Sequence, residues 1–198
     1  MKKYIICLAI CALSFVSFAQ SQDAKAAYRS FLIYRTEADG KPKQIAQTLA
    51  LLKLSDQLSP KQLTNINYHL GRMYEDVEDP DNALIYYEKS LAGEPNYEVV
   101  NRALGFIYLS KSAIAAKQAN AASEAKDAAN AKAFAVYKEW VLKALPRLEK
   151  YQACSPDDDT LGIIINLYRS LKDTNAINTL NARLKEMSAK CVGLLDDE

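Results

Sequence analysis

A pattern of four residues recurs after 34 positions, and this repeat is the feature that most restricts how the chain can fold. The pattern comprises an asparagine, a leucine–glycine pair and a tyrosine: Asn67, Leu70, Gly71 and Tyr74, and again Asn101, Leu104, Gly105 and Tyr108. A period of about 20 to 50 residues is typical of proteins built from stacked repeats. Glycine inside a helix costs about 1 kcal/mol relative to alanine. We therefore expect both glycines to admit a closely packed neighbouring helix, which offsets that cost.

The residues around the first glycine extend the pattern over 64–97. They keep helical spacing on two stripes, separated by Asp79-Pro80-Asp81 and ended by Gly93 and Pro95. This unit resembles a tetratricopeptide repeat, whose pattern is matched at Leu70, Gly71, Tyr74, Ala83, Tyr87, Ser90 and Pro95. Asn67 stands where that family has a large residue. The resemblance implies an antiparallel pair of helices that stacks against similar pairs.

Further units follow and precede this one. A second repeat occupies 98–156 and a third 157–190, where Ile164 replaces the glycine; 191–198 is a C-terminal tail. Residues 20–60 have helical periodicity on both sides of Gly40-Lys41-Pro42, which predicts a degenerate N-terminal pair acting as a cap. The predicted fold is all-α: a tetratricopeptide-like α-solenoid of antiparallel helix pairs with one elongated hairpin.

The elongated hairpin comes from an alanine-rich insertion in the second repeat. Eleven of the 21 residues in 113–133 are alanine, a composition that favours helix. An apolar stripe continues from Phe134 to Tyr151, so we expect Pro146 to bend the second helix without ending it. The turn is predicted between Asn120 and Asn130.

The first residues have the features of a secretory leader. Lys2 and Lys3 precede an apolar run that ends with Ser17 and Ala19, which predicts a signal peptide over 1–19 and a periplasmic or secreted protein. The remaining chain has two cysteines, Cys154 and Cys191. They can form one disulfide, as exported proteins often do, or stay as two buried thiols. No membrane insertion is expected after cleavage.

Composition and motifs argue against several classes of function. The net charge is +1, or about −1 without Lys2 and Lys3, so no basic surface for nucleic acid is indicated. His69 is the only histidine, and phosphate-binding glycine motifs are absent. The acidic clusters 75–81 and 155–160 lack the calcium-loop pattern, so Asp79, Asp81 and 157–159 are interpreted as helix caps and first-turn residues. We expect no enzyme activity, no metal and no cofactor. A hydrolase with dispersed carboxylates is the enzymatic alternative.

The remaining candidate for function is a protein-binding surface. In the family that the chain resembles, the first helix of each pair lines a concave face and binds a peptide segment of a partner. The matching positions are Asn65, Tyr68, Arg72, Glu75, Asp76, Val99, Arg102, Phe106, Leu109, Leu161, Ile165, Tyr168 and Arg169. Tyr68 and Arg72 do not fit the lysine and asparagine pattern of relatives that hold a chaperone's terminal carboxylate. Aromatic residues and arginine are enriched at interfaces.

The sequence therefore predicts a non-enzymatic protein-interaction scaffold of the bacterial cell envelope. Its partner would be a protein or peptide, bound on the concave face, with the long hairpin as a second contact surface. The alternative is a structural subunit that buries its apolar faces in an envelope or transport assembly.

Overall fold

The computed structural model describes residues 24–123 and 128–195, and this part of the chain is all-α. It contains eight α-helices, one short 3-10 helix and no β-strand. The helices are α1 (24–34), α2 (Lys41–Leu52), α3 (Pro60–Asp76), α4 (Pro80–Gly93), α5 (Glu98–Ser123), α6 (Ala128–Cys154), α7 (Asp158–Ser170) and α8 (Thr174–Ser188), with the 3-10 helix at Ser55–Gln57. The predicted signal peptide, 1–19, lies outside the described residues. None of the described helices combines the length and apolar composition needed to cross a lipid bilayer.

Side-chain caps fix where several helices begin. The Asp79 carboxylate accepts a hydrogen bond from the backbone N–H of Asn82, and Asp157 accepts one from Thr160. Each bond satisfies a donor that the first turn of a helix otherwise leaves without a partner. The expectation that these aspartates are helix caps is confirmed. The helix α3 starts at Pro60, four residues before the predicted unit at 64, because the N-cap residue Ser59 forms a capping box with Gln62 in the first turn.

The two repeated glycines both lie against a neighbouring helix. A Cβ at Gly71 in α3 would lie 2.7 Å from ring carbons of Tyr87 in α4, and a Cβ at Gly105 in α5 would lie 2.7 Å from Leu148 Cδ2 in α6. Neither distance is compatible with a real Cβ contact. The predicted role of Gly71 and Gly105 as close-packing residues is confirmed.

The helices surround two apolar clusters. The smaller one joins α1, α2 and α3 through residues that include Tyr28, Phe31, Leu51 and Leu70. The larger cluster contains residues from every helix from α3 through α8. Within it, α6 packs against α5, α7 and α8. Ile164, at the position of the repeated glycine, is fully buried in this larger cluster.

The helices α5 and α6 form the longest pair and make the most extensive helix–helix contact. The insertion thus lengthens both helices, with α6 continuing through Pro146. The turn is predicted between Asn120 and Asn130, and residues 124–127 of this range lie outside the described residues.

The segment after α8 is held against the middle of the chain. A disulfide joins Cys191 to Cys154 at the end of α6. The Val192 N–H donates to the Asn96 carbonyl at 3.1 Å, and the Glu98 N–H donates to the Val192 carbonyl at 2.8 Å. Because Glu98 opens α5, this second bond satisfies one of the free donors at the start of that helix. Cys191, Val192 and Leu195 therefore attach this segment to the fold, whereas the sequence suggests only a tail.

Candidate partner-binding surface

The predicted partner-binding positions lie on α3, α5 and α7, and the structure gives them very different exposure. Four of them are exposed or half-buried on α5, four on α7 and three on α3. The exposed and half-buried members are Arg72, Glu75, Asp76, Val99, Arg102, Phe106, Leu109, Leu161, Ile165, Tyr168 and Arg169.

Two of the predicted positions on α3 are buried. Asn65 is 1% exposed and Tyr68 is 7% exposed. The Tyr68 ring lies 5.2 Å from that of Tyr97 and 6.3 Å from that of Tyr87, so it fills the space between α3, α4 and the start of α5. The prediction that Asn65 and Tyr68 contact a partner is wrong for this conformation, because both side chains are used in packing.

The α5 positions form an aromatic patch with a cation at its edge. The guanidinium carbon of Arg102 lies 5.4 Å from the centre of the Phe106 ring and 5.6 Å from that of Tyr151. Phe106 and Tyr151 meet edge to face at 6.5 Å. Arg102 is exposed, and both rings are half-buried. Such a group offers flat apolar surface and a positive charge at one place, without a large loss of side-chain freedom on binding. We call Arg102, Phe106 and Tyr151 the α5 aromatic patch.

The α3 positions border a polar cleft of about 540 Å³. Arg72 and Asp76 line it from α3, Arg35 and Glu37 line it from the α1–α2 connection, and Lys41 lines it from the first turn of α2. The Lys41 Nζ lies 3.2 Å from an Asp76 carboxylate oxygen, with Asp76 nearly half exposed. A partly exposed pair of this kind exchanges easily with water or with a charged partner.

The α7 position Tyr168 takes part in a buried ionic cluster. Its phenol donates a hydrogen bond to Glu149, a carboxylate that is only 2% exposed. Arg183 in α8 donates to the same carboxylate at 3.1 Å from Nε and at 2.6 Å from Nη2. Burial, followed by the bond to Glu149, raises the pKa of Tyr168. This cluster links α6, α7 and α8, so Tyr168 has a structural role that the repeat pattern does not reveal.

The remaining α7 positions lie on the surface or at its edge. Leu161 and Ile165 are half-buried against the larger cluster. Arg169 is exposed and donates to Asn166 Oδ1 at 3.1 Å. They add a partly apolar margin to the surface of α7.

The described residues contain no grouping of three or more histidine, cysteine or acidic side chains that could hold a metal ion. His69 is 9% exposed, and its ring lies 5.7 Å from Phe31 and 4.8 Å from Tyr68. The only histidine of the sequence is therefore an aromatic packing residue that joins the two clusters.

Sequence reasoning missed one further feature, a pocket of about 380 Å³ beside Pro146. Its walls come from α6, α8, the α4–α5 connection and the first turns of α5, which are far apart in the sequence. Four of the lining residues are basic: Arg147, Lys150, Arg183 and Lys190. No motif marks the site, because only the folded chain brings these residues together.

Comparison with known proteins gives one partial relative. No protein-family model matches the chain, and no solved structure matches it. An uncharacterized protein, ycf37, from Guillardia theta is 42% identical over 60 residues, which are 30% of this chain and 32% of that protein. The chain thus covers about a third of the relative's length. The name of that relative assigns no activity.

Proposed function

We propose that this chain is a non-enzymatic protein-interaction scaffold of the bacterial cell envelope. It is a tetratricopeptide-like solenoid, and it binds a segment of a partner protein on the concave face of its helix pairs. The α5 aromatic patch is the observation that carries this proposal.

Equivalent helix contacts support the solenoid. Gly71 meets Tyr87 and Gly105 meets Leu148, and these partners occupy matching positions, each four residues after a fully buried alanine, Ala83 or Ala144. One packing arrangement therefore serves two successive helix pairs, as it does in proteins whose units stack by translation.

Exposed aromatic surface supports partner binding. Phe106 packs against the larger cluster, and the Tyr151 ring of α6 meets it edge to face, so the patch is already assembled before a partner arrives. Binding hot spots are enriched in tyrosine and arginine. Arg102 can pair with a carboxylate of the partner while keeping its stack on the rings. The polar cleft at Arg72 and Asp76 would receive charged residues of the same segment.

The leader predicted from 1–19 supports an envelope location, and so does the Cys154–Cys191 bridge. Disulfides persist in oxidising compartments such as the periplasm. The location remains part of the proposal.

A peptide-binding measurement tests the proposed surface. Peptides selected from a displayed library with the wild-type chain are measured by fluorescence anisotropy against Arg102→Ala and Phe106→Ala. Loss of a central aromatic or arginine contact is expected to weaken binding by about tenfold or more, since hot-spot truncations cost about 2 kcal/mol or more.

Two exposed residues outside the surface provide matched controls. Arg29→Ala in α1 and Ile85→Ala in α4 remove an arginine and a large apolar side chain away from the patch, and they should leave the affinity unchanged. Peptides that bind all four variants equally well would rule out the α5 aromatic patch as the recognition surface.

A second candidate function is a structural subunit of an envelope or transport assembly. Ile114, Phe134 and Leu142 on the long hairpin are each about half exposed, and such side chains are often covered in assemblies. A single partner that co-purifies in fixed stoichiometry, and is lost in Phe134→Ser but retained in Phe106→Ala, would favour this function.

A further inference from the structure

The pocket beside Pro146 has the composition of a small-molecule site. Pro95, Pro146 and Met187 give it apolar walls, while basic side chains and Asn96 and Asn101 provide polar groups. Its volume of about 380 Å³ lies at the lower end of the range that ligand sites occupy. The α5 aromatic patch contributes no residue to it.

Lys150 brings an ammonium group to this pocket, and the fold holds it in place. The side chain is 7% exposed, and Nζ donates to the carbonyls of Met187 at 3.0 Å and Lys190 at 2.8 Å. An ammonium group has three N–H donors, so one donor and the full positive charge are left after these two bonds to neutral groups.

Arg147 provides a second cation with spare donors. Its Nη1 donates to Asn101 Oδ1 at 3.2 Å. A guanidinium has five N–H donors in a planar fork that matches a carboxylate. Arg147 also borders a neighbouring pocket of about 390 Å³ together with Pro95, so a ligand can extend along it.

The charges around the pocket do not cancel. Arg183 is paired with Glu149 and adds little. Arg147, Lys150 and Lys190 then face Glu186, which also lines the pocket, and Glu94, which acts on Lys150 from nearby. Glu88 borders the neighbouring pocket beside Arg147. Three cations thus line the pocket against one lining carboxylate, Glu186, and this excess favours an anionic ligand.

We propose that this pocket binds a small organic carboxylate, with the carboxylate between Arg147, Lys150 and Lys190 and its apolar body on Pro95, Pro146 and Met187. The carboxylate accepts from the unused donors of Arg147 and Lys150. A neutral molecule of the same shape leaves those cations unsatisfied and binds more weakly.

Titration calorimetry with 3-phenylpropionate tests the site, and 3-phenylpropanol is its neutral control. The wild-type chain should bind the acid saturably and at least tenfold more tightly than the alcohol. A tripeptide with a free C-terminal carboxylate and its amidated form, measured in parallel, separate a free small molecule from the end of a peptide chain. Tighter binding of the free tripeptide than of the acid would overturn the small-molecule assignment.

Three substitutions fix the position of the bound anion, and all avoid the structural bonds of Lys150. Arg147→Gln and Lys190→Gln should each weaken binding of the acid by about fivefold or more. Glu186→Gln removes the one acidic lining residue and should strengthen binding by about threefold, an effect of the size expected for a partly exposed charge. Lys185→Gln, an exposed lysine on the same helix outside the pocket, should change nothing.

The outcomes separate this site from the proposed scaffold function, since peptide recognition by the α5 aromatic patch does not involve these residues. Absence of saturable binding by the wild-type chain would overturn the proposal. So would equal binding of acid and alcohol, or an equal response of Arg147→Gln and Lys185→Gln.

Discussion

Gly71 faces the ring of Tyr87 so closely that a methyl group at the glycine would lie 2.7 Å from Cδ1 and Cε1 of that ring. Tyr87 is 1% exposed, and its hydroxyl donates to Glu75 on the same helix as the glycine. The ring is therefore buried and held at its hydroxyl end, so it cannot easily move away from an added methyl group.

Gly71→Ala should consequently destabilise the protein despite the higher helix propensity of alanine. Overpacking costs about 1–3 kcal/mol, against a propensity gain of about 1 kcal/mol. We expect a net loss of up to about 2 kcal/mol in the free energy of unfolding, measured by urea denaturation.

Gly162→Ala is the matched control within α7. A Cβ at that glycine meets nothing within 4 Å, so only the propensity gain remains and the protein should become more stable by about 0.5–1 kcal/mol. The same sign of change at both glycines would contradict the close-packing role of Gly71.

The buried ionic cluster predicts a large cost for removing its centre. Glu149→Gln leaves Arg183 without its carboxylate and replaces one acceptor oxygen with a donor, which is expected to cost about 2–4 kcal/mol. The lower half of this range is expected because the Arg183 side chain is 29% exposed, so water can partly solvate its charge when the carboxylate is removed. Unfolding in urea gives the value.

Glu139→Gln provides the comparison on the same helix. Glu139 pairs with Lys143 one turn later, and both side chains are exposed. Such surface pairs contribute about 0.5 kcal/mol or less. If the two glutamines had similar effects, the Glu149 cluster would not be a determinant of stability.

The Cys154–Cys191 bridge closes a loop with a sequence separation of 37. Chain-entropy arguments assign a bridge of this span about 3–4 kcal/mol. The double variant Cys154→Ser with Cys191→Ser, or the reduced wild type, should lose stability of that order. Peptide mapping without reductant should recover the two cysteine peptides as one linked species, and recovery of two separate thiol peptides would exclude the bridge.

The buried tyrosines predict a loss of stability in alkali. Burial, and then a hydrogen bond to a glutamate, raises the pKa of Tyr87 and of Tyr108. A group with a raised pKa in the folded state contributes its full stability below the unfolded pKa, near 10, and loses it as the pH rises further. The free energy of unfolding should therefore fall above pH 10.

Tyr87→Phe tests the origin of this slope. The variant should lose about 1 kcal/mol at pH 7 with its hydrogen bond, and its stability should then decline less steeply above pH 10 than that of the wild type. The slope should differ by up to about 1.4 kcal/mol per pH unit. Tyr151→Phe serves as the control at a half-buried ring. Parallel curves for all three proteins would refute the assignment.

The helices could be predicted from the sequence because their determinants are local. Asp79 and Asp157 act on the next three residues, and the glycines act through contacts that repeat with the chain. Tyr68 could not be placed, because its burial depends on Tyr87 in α4 and on Tyr97 in the α4–α5 connection. The pocket beside Pro146 has walls from three segments that are far apart in the sequence, and no periodic pattern predicts such a combination.

The bonds between Val192 and the residues at 96–98 also have a consequence for how the molecule is made. During synthesis, the beginning of α5 lacks its hydrogen bonds to Val192 until that residue has left the ribosome. The contacts at the start of α5 are therefore formed only when a late segment of the chain is available. A nascent chain arrested before Cys191 would leave Cys154 as an unpaired thiol, because its partner would be missing. Completion of the bridge thereby distinguishes finished molecules from interrupted ones.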